Sequence, residues 1–252
     1  MVTAEDSATE GYDSQTSREY YDEFSKGYEE RRGKNVPGGY HELLDELESG
    51  LVERYGANKH VLEVGCGTGL ILKRLANFAA KAEGIDLSPG MLEKARERGL
   101  SVREGSATAL PYEDNTFDVT CSFKVLAHIP DIEKALSEMA RVTRPGGMVL
   151  AEFYNPWSFR GLLRALGPAR QIGRTRKESD VYTRFDNPLR AKELTPSGCS
   201  FKGARGVRII TPAARVVDTP VIGPIFYKAE KLIADSPLRA LAGFYIAKYQ
   251  KA

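Results

Sequence analysis

Residues 61–70 read Val-Leu-Glu-Val-Gly-Cys-Gly-Thr-Gly-Leu, a short apolar run followed by three glycines at alternate positions. The apolar run is typical of a strand buried on both faces of a parallel sheet, and helical spacing of apolar residues from Leu70 onward predicts a helix. Residues without a Cβ let the backbone take positive φ and let a ligand lie against the main chain. The stretch therefore predicts a strand, a ligand-binding glycine loop and a helix. A tight turn without a ligand is the alternative.

The composition is that of an ordinary globular protein. The 252 residues suffice for one large domain, or for one domain with a small appended lobe. A net charge of +2, from 36 basic and 34 acidic side chains, argues against wholesale attraction to nucleic acid or membranes. No apolar run approaches the roughly 20 residues that span a bilayer, and the N-terminus lacks a signal-peptide pattern, so we expect a cytoplasmic protein.

The three cysteines are widely spaced, odd in number and outside any metal-ligand motif. They therefore indicate neither a disulfide framework nor a metal site. These cysteines are Cys66, Cys121 and Cys199.

Strand and helix patterns alternate after the glycine loop, with Ser88 and Asp131 predicted to cap two of the helices. A turn at Pro145-Gly146-Gly147 is predicted before the last strand of the series. Five strands that alternate with helices predict a parallel sheet covered by helices on both faces. The predicted strands lie at residues 61–64, 82–87, 101–104, 116–122 and 148–153.

The segments that flank this alternation complete the predicted organisation. Residues 1–15 are polar and are expected to form a disordered tail. Residues 16–252 are expected to form a single domain, with a helical cap at 16–57 and an insertion at 155–195 over the active site. The cap carries aromatic side chains at helical spacing. Later strands are predicted at 206–210 and 243–248, on either side of a helix at 227–233.

Several short motifs follow one another in the order found in one protein family. They are Glu63-x-Gly65-x-Gly67-x-Gly69, Gly84-Ile85-Asp86-Leu87-Ser88 with Met91, Gly105-x-Ala107 with Leu110-Pro111, Phe117-Asp118, Ala127-His128-Ile129-Pro130-Asp131 and Arg144-Pro145-Gly146-Gly147. Over about residues 15–155 the chain resembles the class I S-adenosylmethionine-dependent methyltransferases of the small-molecule type, in the methyltransferase type 11 or ubiquinone-biosynthesis-like group. The resemblance implies a Rossmann-like α/β fold with a seven-stranded, mostly parallel sheet. Its last strand would be antiparallel, and residues 244–248 could supply it.

The resemblance also implies S-adenosylmethionine as the cofactor and S-adenosylhomocysteine as its product. Gly65, Gly67 and Gly69 would let the amino-acid half of the cofactor lie on the backbone. Glu63 would offer a carboxylate near its ammonium group. Asp86, at the end of the second strand, would accept hydrogen bonds from both ribose hydroxyls. Its alternative role is to complement the dipole of the following helix.

One position departs from the family pattern. Ser106 stands where many relatives have an acid that holds the adenine amino group. The affinity would then rest on Asp86 and apolar contacts, or Asp118 and nearby backbone would compensate. Met91 would pack on the adenine, or serve only the core. The other cofactor contacts that the resemblance implies are Cys66, Leu87, Ala107 and Phe123. Tyr20 or Tyr28 would close over the cofactor, with packing alone as the alternative.

Displacement at a sulfonium methyl needs a nucleophile held close and aligned. Nucleophiles of high pKa also benefit from a general base, and His128, just after the fourth strand, is the candidate for that role. Packing or capping of the loop is the alternative explanation for this histidine. The polar groups predicted to face the substrate are Tyr28, Tyr154, Asn155, Tyr182 and Arg184.

The expected function is methyl transfer from S-adenosylmethionine to an oxygen, nitrogen or carbon of a small organic molecule. An NAD(P)-dependent oxidoreductase is an alternative, but its phosphate loop places the third glycine three residues after the second, unlike Gly65, Gly67 and Gly69. A non-catalytic S-adenosylmethionine-binding scaffold protein is the other alternative.

A basic run in the insertion could attract an anionic substrate, an acidic carrier protein or nucleic acid. Without interleaved aromatic residues or an RNA-binding module, nucleic acid is disfavoured. The basic residues are Arg160, Arg164, Arg170, Arg174, Arg176 and Lys177.

Overall fold

A computed structural model of the protein describes residues 14–28, 38–158 and 182–252. Nearly all of the predicted tail, and the basic run of the predicted insertion, lie outside these ranges. The helices are α1 (Ser14–Ser25), α2 (Tyr40–Gly56), α3 (Leu70–Leu75), α4 (Pro89–Glu97), α5 (Ile132–Val142), α6 (Pro188–Glu193), α7 (Ala214–Val217) and α8 (Gly223–Ile233), with short 3-10 helices at Leu126–His128 and Pro237–Leu241. The strands are β1 (His60–Val64), β2 (Lys81–Asp86), β3 (Val102–Glu104), β4 (Phe117–Ser122), β5 (Thr143–Tyr154), β6 (Cys199–Val207) and β7 (Phe244–Lys251).

The seven strands form one sheet in the order β3-β2-β1-β4-β5-β7-β6. Strands β1 to β5 pair in parallel, whereas β7 runs antiparallel to both of its neighbours, β5 and β6. The predicted Rossmann-like sheet with an antiparallel last strand is confirmed. Because the parallel strands all end at one edge, the loops after β1, β2, β4 and β5 meet there.

Two hydrophobic layers cover the sheet. Alternation along β1 sends Val61 to one face and Leu62 to the other, where each joins a separate buried cluster. The Val61 layer includes the leucines of α2, and the Leu62 layer includes the apolar side of α5. Helix α2 thus packs against a face of the sheet, although its residues belong to the cap predicted at 16–57. Its leucine stripe is a core surface.

Two local predictions were wrong. Residues 145–147 lie inside β5 as a bulge: the β4–β5 pairing passes from Phe117 with Thr143 to Val119 with Met148. The strand predicted at 206–210 already ends at Val207, because Arg208 has a φ of +62°. The amides of the next three residues donate instead to the buried Glu230 carboxylate of α8, at 2.7–2.8 Å.

Candidate cofactor and acceptor site

The glycine loop joins β1 to α3, and its three glycines have φ of +77°, +53° and +82°. A Cβ on Gly65 would lie 2.3 Å from the Val125 side chain, and one on Gly69 would lie 2.4 Å from Leu100. A Cβ on Gly67 would have no atom within 4 Å. Packing therefore requires two of the glycines, and the third leaves one side of the backbone open to a ligand.

Asp86 ends β2 beside this open backbone. Its Oδ2 accepts a hydrogen bond from the Gly67 amide at 2.8 Å, and its Oδ1 accepts one from the Ser88 amide at 3.0 Å. Burial raises the pKa of the carboxyl, and these amide hydrogen bonds oppose that shift. Because each carboxylate oxygen can accept two hydrogen bonds, each has a further acceptor position, as a pair of ribose hydroxyls would require.

Helix α1 is clamped onto the start of α4, next to Asp86. The Asp22 carboxylate accepts hydrogen bonds from the Gly90 amide at 2.9 Å and the Ser88 hydroxyl at 2.5 Å. Ser88 in turn caps α4 by accepting from the Met91 amide at 3.2 Å, as predicted. A Cβ on Gly90 would lie 2.7 Å from the Ser25 hydroxyl, so the close approach of the two helices requires this glycine. Sequence reasoning missed Asp22, which is one of several acids on a charged helix face.

A buried group of charges lies at the carboxyl ends of β1, β4 and β5, on the α2 side of the sheet. Lys124 follows β4 with a φ of +60°, and its ammonium lies 2.6 Å from the Glu48 carboxylate of α2. Its backbone amide donates to Glu152 Oε1 of β5 at 3.0 Å. Burial raises the pKa of Glu152 to about 8, and the nearby Glu48 charge adds to the shift. Sequence reasoning missed these three residues.

Glu63 completes this charged group from β1. Its side chain is only 3% exposed, and burial raises its pKa well above the usual range, with Glu48 as the next cause. Glu63 Oε2 and Glu152 Oε2 have no hydrogen-bond partner within the described residues. A buried carboxylate oxygen without a donor is costly, and a ligand ammonium would satisfy it. The residues at this edge thus fit the amino-acid end of the implied cofactor.

His128 lies in the 3-10 helix after β4, at the same edge of the sheet. Its Nδ1 is 3.0 Å from the carbonyl oxygen of Tyr182, which only accepts hydrogen bonds. We therefore assign the proton to Nδ1, which leaves the lone pair of the neutral ring on Nε2. Burial lowers the pKa of this imidazole. The residue is thus neutral near pH 7, as a general base must be.

Aromatic rings surround His128. The ring centroids of Tyr154 and Tyr21 lie 5.7 and 6.5 Å from the imidazole. Tyr21 contacts Phe24, which in turn contacts Tyr28 at 5.6 Å. We call Tyr21, Phe24, Tyr28 and Tyr154 the aromatic wall. The aromatic wall connects the predicted substrate contacts Tyr28 and Tyr154 with the candidate base. The ring of Tyr20, a predicted cofactor contact, stacks on Phe24 with 5.7 Å between centroids.

Two predicted substrate contacts have their polar atoms engaged inside the protein. The Arg184 guanidinium donates from Nε and one terminal nitrogen to the Asp186 carboxylate, both at 2.8 Å. Asn155 is 3% exposed, and its side chain bonds to the backbone of Trp157, Ala240 and Ala242. Asn155 holds the backbone around the site and Arg184 is paired with Asp186, and these contacts do not support their predicted role. Tyr182 lies beside His128 through its backbone carbonyl.

Asp118 is not placed to replace the acid that holds the adenine amino group in relatives and that is Ser106 here. Asp118 lies at the opposite edge of the sheet, where it accepts from the His60 amide at 2.9 Å and pairs with Arg144. Ser106 itself hydrogen-bonds Thr108, with 2.8 Å between the hydroxyl oxygens. Ala107 and Leu87 are half-buried beside these loops. Three further predicted contacts, Cys66, Met91 and Phe123, are at most 6% exposed.

Part of the chain matches a known protein family. Residues 62–151 match the family model described as "Methyltransferase domain". The matched region includes the glycine loop, Asp86 and His128, whereas α1, Glu48 and Glu152 lie outside it.

Curated relatives match a similar length of the chain. A demethylmenaquinone methyltransferase from Mycobacterium marinum is 44% identical over 107 residues, which cover 42% of this chain and 46% of the relative. A sterol 4-C-methyltransferase from Caenorhabditis elegans is 34% identical over 116 residues, which cover 42% of this chain and 35% of the relative. The chain spans less than half the length of these relatives.

Solved structures resemble most of the chain. A SAM-dependent methyltransferase from Thermotoga maritima has a TM-score of 0.64 at 21% identity and covers 93% of this chain and 99% of its own. The [4+2]-cyclase SpnF has a TM-score of 0.63 at 21% identity, covering 95% and 97%. At this identity the likeness shows the fold alone, and the cyclase illustrates that fold does not fix activity. Within the described ranges, no helix is long and apolar enough to cross a membrane.

Proposed function

We propose that the protein transfers a methyl group from S-adenosylmethionine to an oxygen, nitrogen or carbon of a small organic acceptor. The observation that carries this proposal is the match of residues 62–151 to the methyltransferase family model, together with the open backbone at Gly67 beside the Asp86 carboxylate. The cytoplasmic location expected from the sequence stays a prediction, as does the organisation into tail, cap and insertion.

Different residues at the edge where β1, β2, β4 and β5 end would hold different parts of the cofactor. Asp86 would accept the ribose hydroxyls with the acceptor positions that its two backbone hydrogen bonds leave. Glu63 would accept from the ammonium group with its partnerless Oε2. Helix α1, clamped by Asp22, would shield this edge from water. When bound, S-adenosylmethionine supplies an electrophilic methyl group on a sulfonium sulfur.

His128 would receive the proton that an oxygen or nitrogen nucleophile loses. Its Nδ1 donates to the Tyr182 carbonyl, so Nε2 is the atom that accepts. The lowered pKa keeps the ring neutral, and the imidazolium that forms would keep its hydrogen bond to Tyr182. Tyr182 thus supports the reaction through its backbone, by holding the tautomer.

The aromatic wall favours an apolar, ring-bearing acceptor. Three of its four members come from α1 or the residues just after it and one from the end of β5, so an acceptor beside His128 would be enclosed by ring faces and edges. Flat apolar molecules gain both burial and ring contacts in such a setting. The relatives named for demethylmenaquinone and sterol methylation agree with a lipophilic acceptor.

The test is methyl transfer from labelled S-adenosylmethionine to a matched set of acceptors. The set contains a hydroquinone and a phenol with short isoprenoid chains, the same rings without the chains, and a polar primary amine. We expect the label on the hydroquinone and the phenol that carry isoprenoid chains, and we expect the rate of transfer to depend on His128. Transfer to the amine alone would contradict the lipophilic acceptor, and no transfer to any member by protein that binds S-adenosylhomocysteine would contradict the proposed enzyme.

A further inference from the structure

The exposed apolar side chains are concentrated in one region of the sequence. Within the described ranges, all of the large apolar residues classed as exposed lie between positions 157 and 241. Residues 14–28 and 38–156 contribute none. Single exposed apolar residues are common, but their segregation indicates a surface with a use. They are Trp157, Phe185, Leu189, Val221, Ile222, Ile225, Leu232, Leu238 and Leu241.

Helix α8 carries two highly exposed members of this set. Ile225 and Leu232 are 65% and 83% exposed, and their separation of seven residues places them on one face. The opposite face of the helix is anchored inward, because Phe226 and Tyr227 pack against the core and the Glu230 carboxylate holds three backbone amides. Because these contacts hold the opposite face against the protein, Ile225 and Leu232 point outward.

A second group of exposed apolar residues adjoins α8 and leads to the site. Helix α8 contacts the 3-10 helix at Pro237–Leu241, which carries Leu238 and Leu241. The Asn155 side chain binds carbonyls on both sides of Leu241 and accepts from the Trp157 amide at 3.0 Å. It thereby holds the Trp157 backbone beside this helix, shortly after Tyr154 of the aromatic wall. We call Trp157, Val221, Ile222, Ile225, Leu232, Leu238 and Leu241 the apolar surface.

The charges around the apolar surface are mainly positive. Lys228 is exposed between Ile225 and Leu232, three and four residues away on the same face, and Arg215 of α7 is exposed nearby in sequence. Asp235 is paired with Arg205 and Arg54. An apolar stripe with basic neighbours is typical of helices that lie on anionic membranes.

We propose that the apolar surface docks the protein on an anionic lipid bilayer, with α8 lying in the interface. A second copy of this chain fits the surface less well, because a two-fold contact centred on α8 would bring the two positively charged Lys228 side chains together. The docking would bring Trp157, three residues after Tyr154 of the aromatic wall, to the lipid from which a lipophilic acceptor would come. This last consequence rests on the proposed lipophilic acceptor, whereas the docking itself does not.

Vesicle flotation tests the docking without cofactor or acceptor. The parent protein is expected to float with phosphatidylcholine vesicles that contain phosphatidylglycerol and to stay in solution with phosphatidylcholine alone. Ile225→Ser with Leu232→Ser is expected to weaken binding at least tenfold, since each buried aliphatic side chain supports partitioning. Lys228→Glu should also weaken it, whereas Lys134→Glu on α5, at the other face of the sheet, is the matched control and should not.

Unaltered melting temperature and S-adenosylhomocysteine binding would show that the variants fold. Parent protein that stays in solution with anionic vesicles would overturn the docking, as would a Ser double variant that floats like the parent. Sedimentation equilibrium without lipid tests whether the apolar surface is a dimer contact. If the parent protein is a dimer and the double variant is a monomer, the surface binds a second copy of the chain and not a bilayer. Failure of vesicle binding leaves methyl transfer untouched, so the two proposals fail separately.

Discussion

Replacement of Asp86 by alanine removes a carboxylate with one observed and one proposed role. Its oxygens accept from the amides of Gly67 and Ser88, and the same oxygens are the proposed acceptors for the two ribose hydroxyls. A hydrogen bond to a charged group contributes about 1.5–3 kcal/mol, and about 1.4 kcal/mol is a factor of ten in affinity. The loss of two such bonds should raise the dissociation constant for S-adenosylhomocysteine roughly 100-fold or more.

Titration calorimetry with S-adenosylhomocysteine measures this change. Asp86→Asn is the graded variant, since an amide keeps one acceptor oxygen and should weaken binding by an intermediate factor. Asp118→Ala is the matched control, because that acid occupies the opposite edge of the sheet and should leave the affinity unchanged. A folded Asp86→Ala protein that binds as tightly as the parent would refute the ribose assignment and reduce Asp86 to a support for the loop.

Three further predictions concern the remaining parts of the site. His128→Gln should lower kcat about 100-fold for a phenolic acceptor while S-adenosylhomocysteine affinity in calorimetry stays the same, and an unchanged kcat would remove the general base. Asp22→Ala should speed amide hydrogen exchange in α1 and weaken S-adenosylhomocysteine binding several-fold, because α1 loses the two hydrogen bonds that Asp22 makes at the start of α4; unaltered exchange would show that other contacts suffice. The pKa of Glu152 is raised from its usual 4.5 to about 8, so the folded protein holds an extra proton between these values and its stability falls as pH rises through that window. Urea unfolding of Glu152→Gln should show a flatter pH dependence between about pH 5 and 8, and a slope equal to that of the parent would contradict a protonated Glu152.

The sequence predicted those parts of the fold whose signals are local. The run from Val61 to Leu70 carries its own strand, loop and helix signals, and Ser88 caps the helix that it precedes. The bulge before Met148 was missed because Pro-Gly-Gly is an equally good turn, and only pairing with β4 keeps these residues in the strand. Arg208 likewise ends β6 through a positive φ that no nearby residue signals.

The missed site residues come together only through tertiary folding. Glu48 and Lys124 are 76 residues apart, and Asp22 and Ser88 are 66 apart. Each is an ordinary polar or charged residue on a helix or loop, so no spacing or motif distinguishes it from a solvated neighbour. The compensating role suggested for Asp118 was wrong for a different reason: the strand predicted at 116–122 already placed it at the start of β4, whereas the candidate site lies where that strand ends.

The edge of the sheet where β1, β2, β4 and β5 end is proposed to bind a sulfonium nucleoside. Calorimetric titration of the parent protein with S-adenosylmethionine and S-adenosylhomocysteine, alongside NADH, tests this assignment. We expect saturable one-to-one binding of both sulfur nucleosides and no heat from NADH, since Gly67 is open beside the Asp86 carboxylate and the glycine spacing does not suit a pyrophosphate. Folded protein that binds neither sulfur nucleoside, or that binds NADH in their place, would contradict it.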